Sequence, residues 1–294
     1  MNILGNKILI DTHCHLNDGS FDDDRDEVVK RAVDAGVTGI VDIGVNIETS
    51  KKAIENSKKY KGVVYASVGI DPEVFVPGNE LFDEGLFSKS QIEIGEWISE
   101  QMRELEGLID ENVVMIGECG MDYHWLNENN EISKEDEKKS KLLQRLLFAS
   151  QVELSIKRKL PLSIHSRGAE SECIEVIKTF KEHVSKKNRG NNSEIESDFN
   201  TGQILEGSFH SFTGTVSQAK EIVKLGFKIG VNGIVTYQKA ENVREVVHAV
   251  GAENIVYETD APYLVPSGFR PEKKRRNEPS SLVIIQKYIE KIFS

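Results

Sequence analysis

The chain has 294 residues, of which 38% are hydrophobic and 29% charged, with a formal net charge of −11. No apolar run reaches the roughly 18 residues of a membrane span, and the stretch before His13 is too short for a secretory signal, so the expectation is a cytoplasmic protein with no membrane contact. The acidic balance excludes a protein that coats nucleic acid by broad phosphate neutralisation, so any phosphate-bearing substrate must be held locally.

Short apolar, β-branched runs recur along the chain and alternate with longer charged segments of helical spacing, the signature of βα units around a parallel sheet. Eight such runs are predicted as strands, at 7–13, 37–45, 63–70, 113–120, 161–166, 204–211, 227–233 and 255–260. Between them, 22–35, 134–158, 168–187, 217–225 and 240–250 carry apolar residues at three- and four-residue intervals and read as helices. Eight strands with intervening helices predict a (β/α)8 TIM barrel, and one barrel domain over 1–294 is expected. The excursion 77–91 follows the third strand and would project from the C-terminal face, where barrel active sites form. The polar stretch 186–201 would lie on the opposite face as a surface loop. Cys14, Cys119 and Cys173 show no C-x-x-C spacing and read as reduced thiols without a chemical role.

The first strand ends in "IDTHCHLND", which sets His13 and His15 on one face and Cys14 on the other. Two parallel imidazoles are poor core filling and half of a metal site. Further metal-capable residues also fall at strand ends: Glu118 on the fourth, His165 on the fifth, His210 on the sixth and Asp260 on the eighth. In a barrel these ends converge on one mouth, where four imidazoles and two carboxylates suit two divalent ions such as zinc, magnesium or manganese. Glu118 can bridge two ions, which would lower the pKa of a shared water, and Asp260 could accept its proton, so these two are the candidate catalytic residues. Asp11 and Glu258 share strand parity with the ligands a layer deeper, where they would orient imidazoles. Arg167, Ser211 and Thr213, just beyond His165 and His210, are placed to touch a substrate oxyanion.

The motifs "IDTHCHL", "IGECGMDY", "IHSRGA", "FHSFTG", "ETDAPYLVP" and "RRNEPS" resemble, in order and spacing, those of TatD-family metal-dependent hydrolases over nearly the whole chain. The resemblance implies an amidohydrolase-like barrel, a di-metal centre and deoxyribonuclease activity that removes nucleotides from a 3′ end. Carried over residue by residue, the family's ligands fall on His13, His15, Glu118, His165, His210 and Asp260. One departure is plain. Where the family reads Gly-x-His-Pro-His after the third strand, this chain reads "VGIDPEVF", setting Asp71 and Glu73 near the site.

The expected function is therefore phosphodiester hydrolysis at DNA ends, with the basic run "RPEKKRR" at 270–276 as a rim that guides the strand and no obligate protein partner. A barrel hydrolase of a small amide, ester or lactone, or a scaffold that binds metal without catalysis, are the alternatives. The fourth strand ends in a glutamate rather than the lysine that some amide- and lactone-cleaving relatives carboxylate.

Overall fold

The structure is a computed structural model that describes residues 8–128, 132–189, 205–270 and 276–294. Eight strands form one sheet in sequence order, β1 (Ile10–Cys14), β2 (Gly39–Ile43), β3 (Val64–Val68), β4 (Val113–Gly120), β5 (Leu162–His165), β6 (Gly207–Phe209), β7 (Lys228–Val231) and β8 (Ile255–Tyr257). Each neighbouring pair is parallel. The ring closes at its C-terminal rim, where the Asp260 N–H donates to the His13 carbonyl at 2.9 Å and the His15 N–H to Ala261 at 2.8 Å. All eight predicted strands are present, β4 with the predicted bounds and the other seven shorter, and the fold is the expected TIM barrel.

The helices are α1 (Arg25–Ala35), α2 (Ile47–Lys59), α3 (Glu84–Phe87), α4 (Gln91–Leu108), α5 (His124–Glu128), α6 (Lys134–Arg158), α7 (Glu170–Arg189), α8 (Val216–Lys224), α9 (Glu241–Val250) and α10 (Leu282–Ile292). Their starts are written locally. Ser90 and Glu93 form a capping box on α4, Asn46 and Thr49 do the same on α2, and Ser133 caps α6 through the Asp136 N–H. α6 runs over the predicted bounds and buries Leu143, Leu147, Phe148 and Val152 against the barrel wall. There they join Ile116, Ile164, Phe209 and Ile229 in one apolar layer between strands and helices.

The excursion 77–91 is packed, with Leu86 and Phe87 of α3 buried and the Phe82 and Phe87 rings 5.4 Å apart. α7 continues to Arg189, so the polar stretch expected as a loop from residue 186 begins as helix; its remainder, from 190, lies outside the described residues.

Two irregularities in the ladder fall where function was expected. The β1/β2 register shifts between Asp11 and Cys14, and the β4/β5 register between Ile116 and Cys119, the two segments that carry His13 and Glu118. Gly120 allows the close approach of β4 and β5 beyond Glu118, because at its φ of +129° a Cβ would lie 2.0 Å from the His165 carbonyl oxygen.

Candidate metal centre

The six predicted ligands meet at the C-terminal mouth. Glu118, 4% exposed, turns its two oxygens toward different imidazoles. Oε1 lies 2.7 Å from His210 Nε2 and 2.9 Å from His165 Nδ1, while Oε2 lies 3.5 Å from His13 Nε2 and 3.7 Å from His15 Nε2. Asp260 Oδ1 completes the second group, 3.3 Å from His15 Nε2 and 3.7 Å from His13 Nε2, and the two imidazole nitrogens are 3.3 Å apart.

These spacings test whether an ion fits. A tetrahedral ion with ligand bonds of about 2.1 Å spaces its ligands roughly 3.4 Å apart. His13, His15 and Asp260 stand 3.3 to 3.7 Å from one another, so this trio is already set at ligand spacing, and Glu118 Oε2 lies 3.5 and 3.7 Å from its two imidazoles. The group of Glu118 Oε1, His165 and His210 is tighter, at 2.7 to 3.1 Å, and holds itself together by hydrogen bonds that an ion would replace. His210 Nδ1 is buried without a hydrogen-bond partner, so its ring is held by stacking on His13 at 3.8 Å and by what its Nε2 faces. The donor set fits divalent ions.

Electrostatics point the same way. Burial alone would raise Glu118, but the charge of His210 and bonds from His13 and His165 outweigh it and hold the carboxylate well below its ordinary range. Burial lowers His13 to about 4, which favours the neutral ring, the form that can ligate a metal. For His15, burial acts downward, yet the Asp260 hydrogen bond and the charges of Glu118, Asp260 and Asp42 push the ring up to about 9. His165 is likewise raised against burial by Asp122 and Glu118. Two anionic carboxylates thus gather protons on neighbouring imidazoles, and a dication would supply the same positive charge more strongly.

Several positioning residues were not legible beforehand. Asp122 is fully buried and accepts from His165 Nε2 at 2.9 Å through Oδ2 and from the His124 N–H at 2.8 Å through Oδ1, which leaves Nδ1 to face the centre. Ser163 Oγ meets His13 Nδ1 at 2.9 Å. Asn277, in "RRNEPS", donates to the Thr259 carbonyl at 3.0 Å and so anchors the turn that carries Asp260, whose φ of +55° lies in the left-handed region. Asp11 and Glu258 are fully buried, but the bonds they accept come from backbone N–H groups and the Thr259 hydroxyl, not from the imidazoles they were expected to orient. Asp11 takes the Thr259 N–H at 2.9 Å, and Glu258 takes the Ser211 N–H at 2.5 Å.

The predicted substrate residues divide. Arg167 is exposed, with its guanidinium 5.5 Å over the Trp125 ring. Ser211 is half-buried, its hydroxyl accepting from Asn232 at 2.8 Å, and Thr213 is exposed, its carbonyl taking a bond from Asn242. Asp71 is 5% exposed and caps the 3-10 turn Pro72–Phe75 through the Glu73 N–H at 2.7 Å. Burial, then the charges of Glu118 and Glu73, push its carboxyl well up.

The basic rim needs correction. Arg276 is buried, paired with Asp24 at 2.6 Å and Glu278 at 3.0 Å, because two carboxylates and the Phe21 ring enclose its guanidinium. Arg270 is exposed, and 271–275 lie outside the described residues. Cys14, Cys119 and Cys173 are buried free thiols. Among the described residues, no helix is long and apolar enough to cross a membrane.

The TatD related DNase family model matches residues 10–294. The uncharacterized metal-dependent hydrolase YabD of Bacillus subtilis is 30% identical over 282 residues, 96% of this chain and 90% of that protein. The 3′-5′ ssDNA/RNA exonuclease TatD of Klebsiella pneumoniae is 30% identical over 276 residues, 93% of this chain and 86% of that protein. The crystal structure of the YJJV TatD homologue from Escherichia coli shares the fold, with a TM-score of 0.69 at 24% identity over 97% of this chain and 90% of that one. Sequence order, barrel and ligand geometry converge with these likenesses, and the chain belongs to the TatD related DNase family of metal-dependent hydrolases.

Proposed function

We propose that this protein is a metal-dependent phosphodiesterase that removes nucleotides from the 3′ end of single-stranded DNA, with two divalent ions, zinc, magnesium or manganese, held by His13, His15, Glu118, His165, His210 and Asp260. The observation that carries this reading is the division of Glu118: one oxygen faces His165 and His210, the other His13 and His15. A carboxylate so placed joins two ligand groups in one centre. When bound, the ions would bring a water's pKa toward neutrality and neutralise charge developing on the phosphoryl group.

The chain's own residues do the rest. Asp260 turns Oδ1 to the two imidazoles and keeps its side chain 13% exposed at the mouth, so Oδ2 accepts the proton of the attacking water. The hydrogen bond to His15 and nearby imidazoles hold Asp260 low against the effect of burial, which keeps it ionised for that role. Asp122 fixes the His165 ring, and Asn277 fixes the turn beneath Asp260. Arg167 meets a phosphate oxygen from the rim, with Ser211 and Thr213 on the adjoining loop.

A small-ester, amide or lactone hydrolase is the weaker reading, since the relative above that is named for a substrate is an exonuclease. A scaffold without catalysis is weaker still, because six polar side chains in one cavity are costly to keep without a ligand. The test is a 5′-labelled single-stranded oligonucleotide incubated with the purified protein, with and without chelator. A ladder shortening from the 3′ end, abolished by chelator and restored by metal, is expected. Chelator-insensitive cleavage, or hydrolysis of small esters with the oligonucleotide left intact, would contradict the proposal.

A further inference from the structure

A net charge of −11 sets a problem for any protein that must grip a polyanion: long-range attraction works against it, and short-range contacts must supply the affinity. Among the described residues, three large aromatic side chains are exposed: Trp125, Tyr263 and Phe293. Phe293 lies near the C-terminus, but the other two follow strand ends at the mouth of the barrel. Tyr263 is 55% exposed three residues after Asp260, its N–H bonded to the Asp260 carbonyl at 2.9 Å and its ring 5.9 Å from that of His15. Trp125 is 44% exposed on α5, just beyond β4, under the guanidinium of Arg167, which follows β5 by two residues.

The barrel order fixes how these relate. Tyr263 belongs to the side where β8 meets β1, and Trp125 with Arg167 to the side where β4 meets β5, which in an eight-strand ring in sequence order is across the mouth. An exposed aromatic on each flank, one carrying a cation stacked on its face, is the equipment that binds unpaired bases and the phosphate between them. Stacking is tolerant of base identity and little weakened by the protein's own negative charge.

We infer that Trp125 and Tyr263 are base-stacking platforms on opposite flanks of the metal centre, so that the strand is held by a base on either side of the scissile phosphate and a single-stranded end is selected over a duplex. This rests on the nuclease reading above and specifies how that site chooses its substrate. A base already paired and stacked within a duplex must be unstacked before it reaches either ring. Arg167, ordered on Trp125, meets the phosphate that follows the base on the indole.

The experiment compares wild type, Trp125→Ala, Tyr263→Ala, Trp125→Phe and Tyr263→Phe on a single-stranded oligonucleotide and on bis(p-nitrophenyl) phosphate, with metal content measured for each. The ratio of kcat/KM on the oligonucleotide to that on the small diester should fall about five- to a hundredfold in each alanine variant, through KM, and recover most of the loss in the phenylalanine variants. An oligonucleotide with an abasic nucleotide beside the scissile phosphate should cost wild type a similar factor and the matching alanine variant much less. Ratios within about twofold of wild type in both alanine variants, or equal cleavage of abasic and intact strands by wild type, would overturn the stacking role while leaving the nuclease reading in place. If wild type hydrolyses the small diester but no oligonucleotide, the nuclease reading fails, and this inference with it.

Discussion

Replacing Asp122 by Asn tests whether His165 is set in place by its buried neighbour. The carboxylate accepts two bonds at once, from His165 Nε2 at 2.9 Å and from the His124 N–H at 2.8 Å, with no exposure to water. An amide has one acceptor and cannot serve both. If its oxygen stays on the backbone, its NH2 faces His165 Nε2 and favours the tautomer with the proton on Nδ1, the atom that must present a lone pair to an ion. If it flips, a donor is set against the His124 N–H. The first case puts the cost on the wrong tautomer and the second on a lost buried hydrogen bond; either is worth about 1–3 kcal/mol, roughly five- to 150-fold, in line with the 10–100-fold typical when a partner of a ligating histidine is removed. Metal affinity measured by chelator competition should fall by that factor, with kcat at saturating metal also reduced. Wild-type affinity and turnover in Asp122→Asn would refute the role.

Glu118→Gln keeps the shape but removes the charge shared by both ligand groups, so metal content should drop below two ions per chain and turnover by at least about a hundredfold; near wild-type turnover would refute the bridge. Arg276→Ala removes one of the two guanidiniums that Asp24 and Glu278 share, Arg31 remaining on both, and should lower unfolding free energy in urea by about 2 kcal/mol through the lost charged hydrogen bonds, whereas a loss under about 1 kcal/mol would show the pair to be a marginal surface contact. Asp42 is pushed by burial from 3.8 up to about 6, against bonds from Asn56 and Asn17, so its contribution to stability is full below about pH 4 and lost as pH rises through 6, about 3 kcal/mol in all. The Tm of Asp42→Asn relative to wild type should therefore climb between pH 4 and 7; a constant difference would contradict the burial argument. Asp71→Asn keeps the acceptor that caps Pro72–Phe75 and removes a carboxyl already pushed toward its neutral form, so oligonucleotide turnover should stay within about twofold. A severalfold rise confined to low salt would show instead that Asp71 repels the phosphate.

The strands and the convergence of the six metal-capable side chains were legible because both rest on local rules. Alternation along β1 puts His13 and His15 on one face, and a barrel gathers strand ends whatever their separation in sequence. What escaped depends on long-range partners. Asp122 lies in the motif "GMDY", but its bond to His165 spans 43 positions, and nothing local distinguishes it from a turn carboxylate. Arg276 sits in a run of cations and reads as solvated, yet Asp24, 252 positions away, encloses it. Asp71 was legible as a charge near the mouth, but whether it points out or caps its own turn depended on the backbone at Pro72, which "IDPEVF" leaves open. Trp125 and Tyr263 are ordinary aromatics until the barrel sets them across the mouth from each other.

The most direct test of a centre built on two ligand groups is a metal titration of the chelator-stripped protein, following release of mononucleotides from a single-stranded oligonucleotide as zinc or manganese is added. If Glu118 joins two ions, activity should stay low through the first equivalent, rise as the second is added and level off at two per chain. Full activity at one equivalent, or in the stripped protein, would contradict the account.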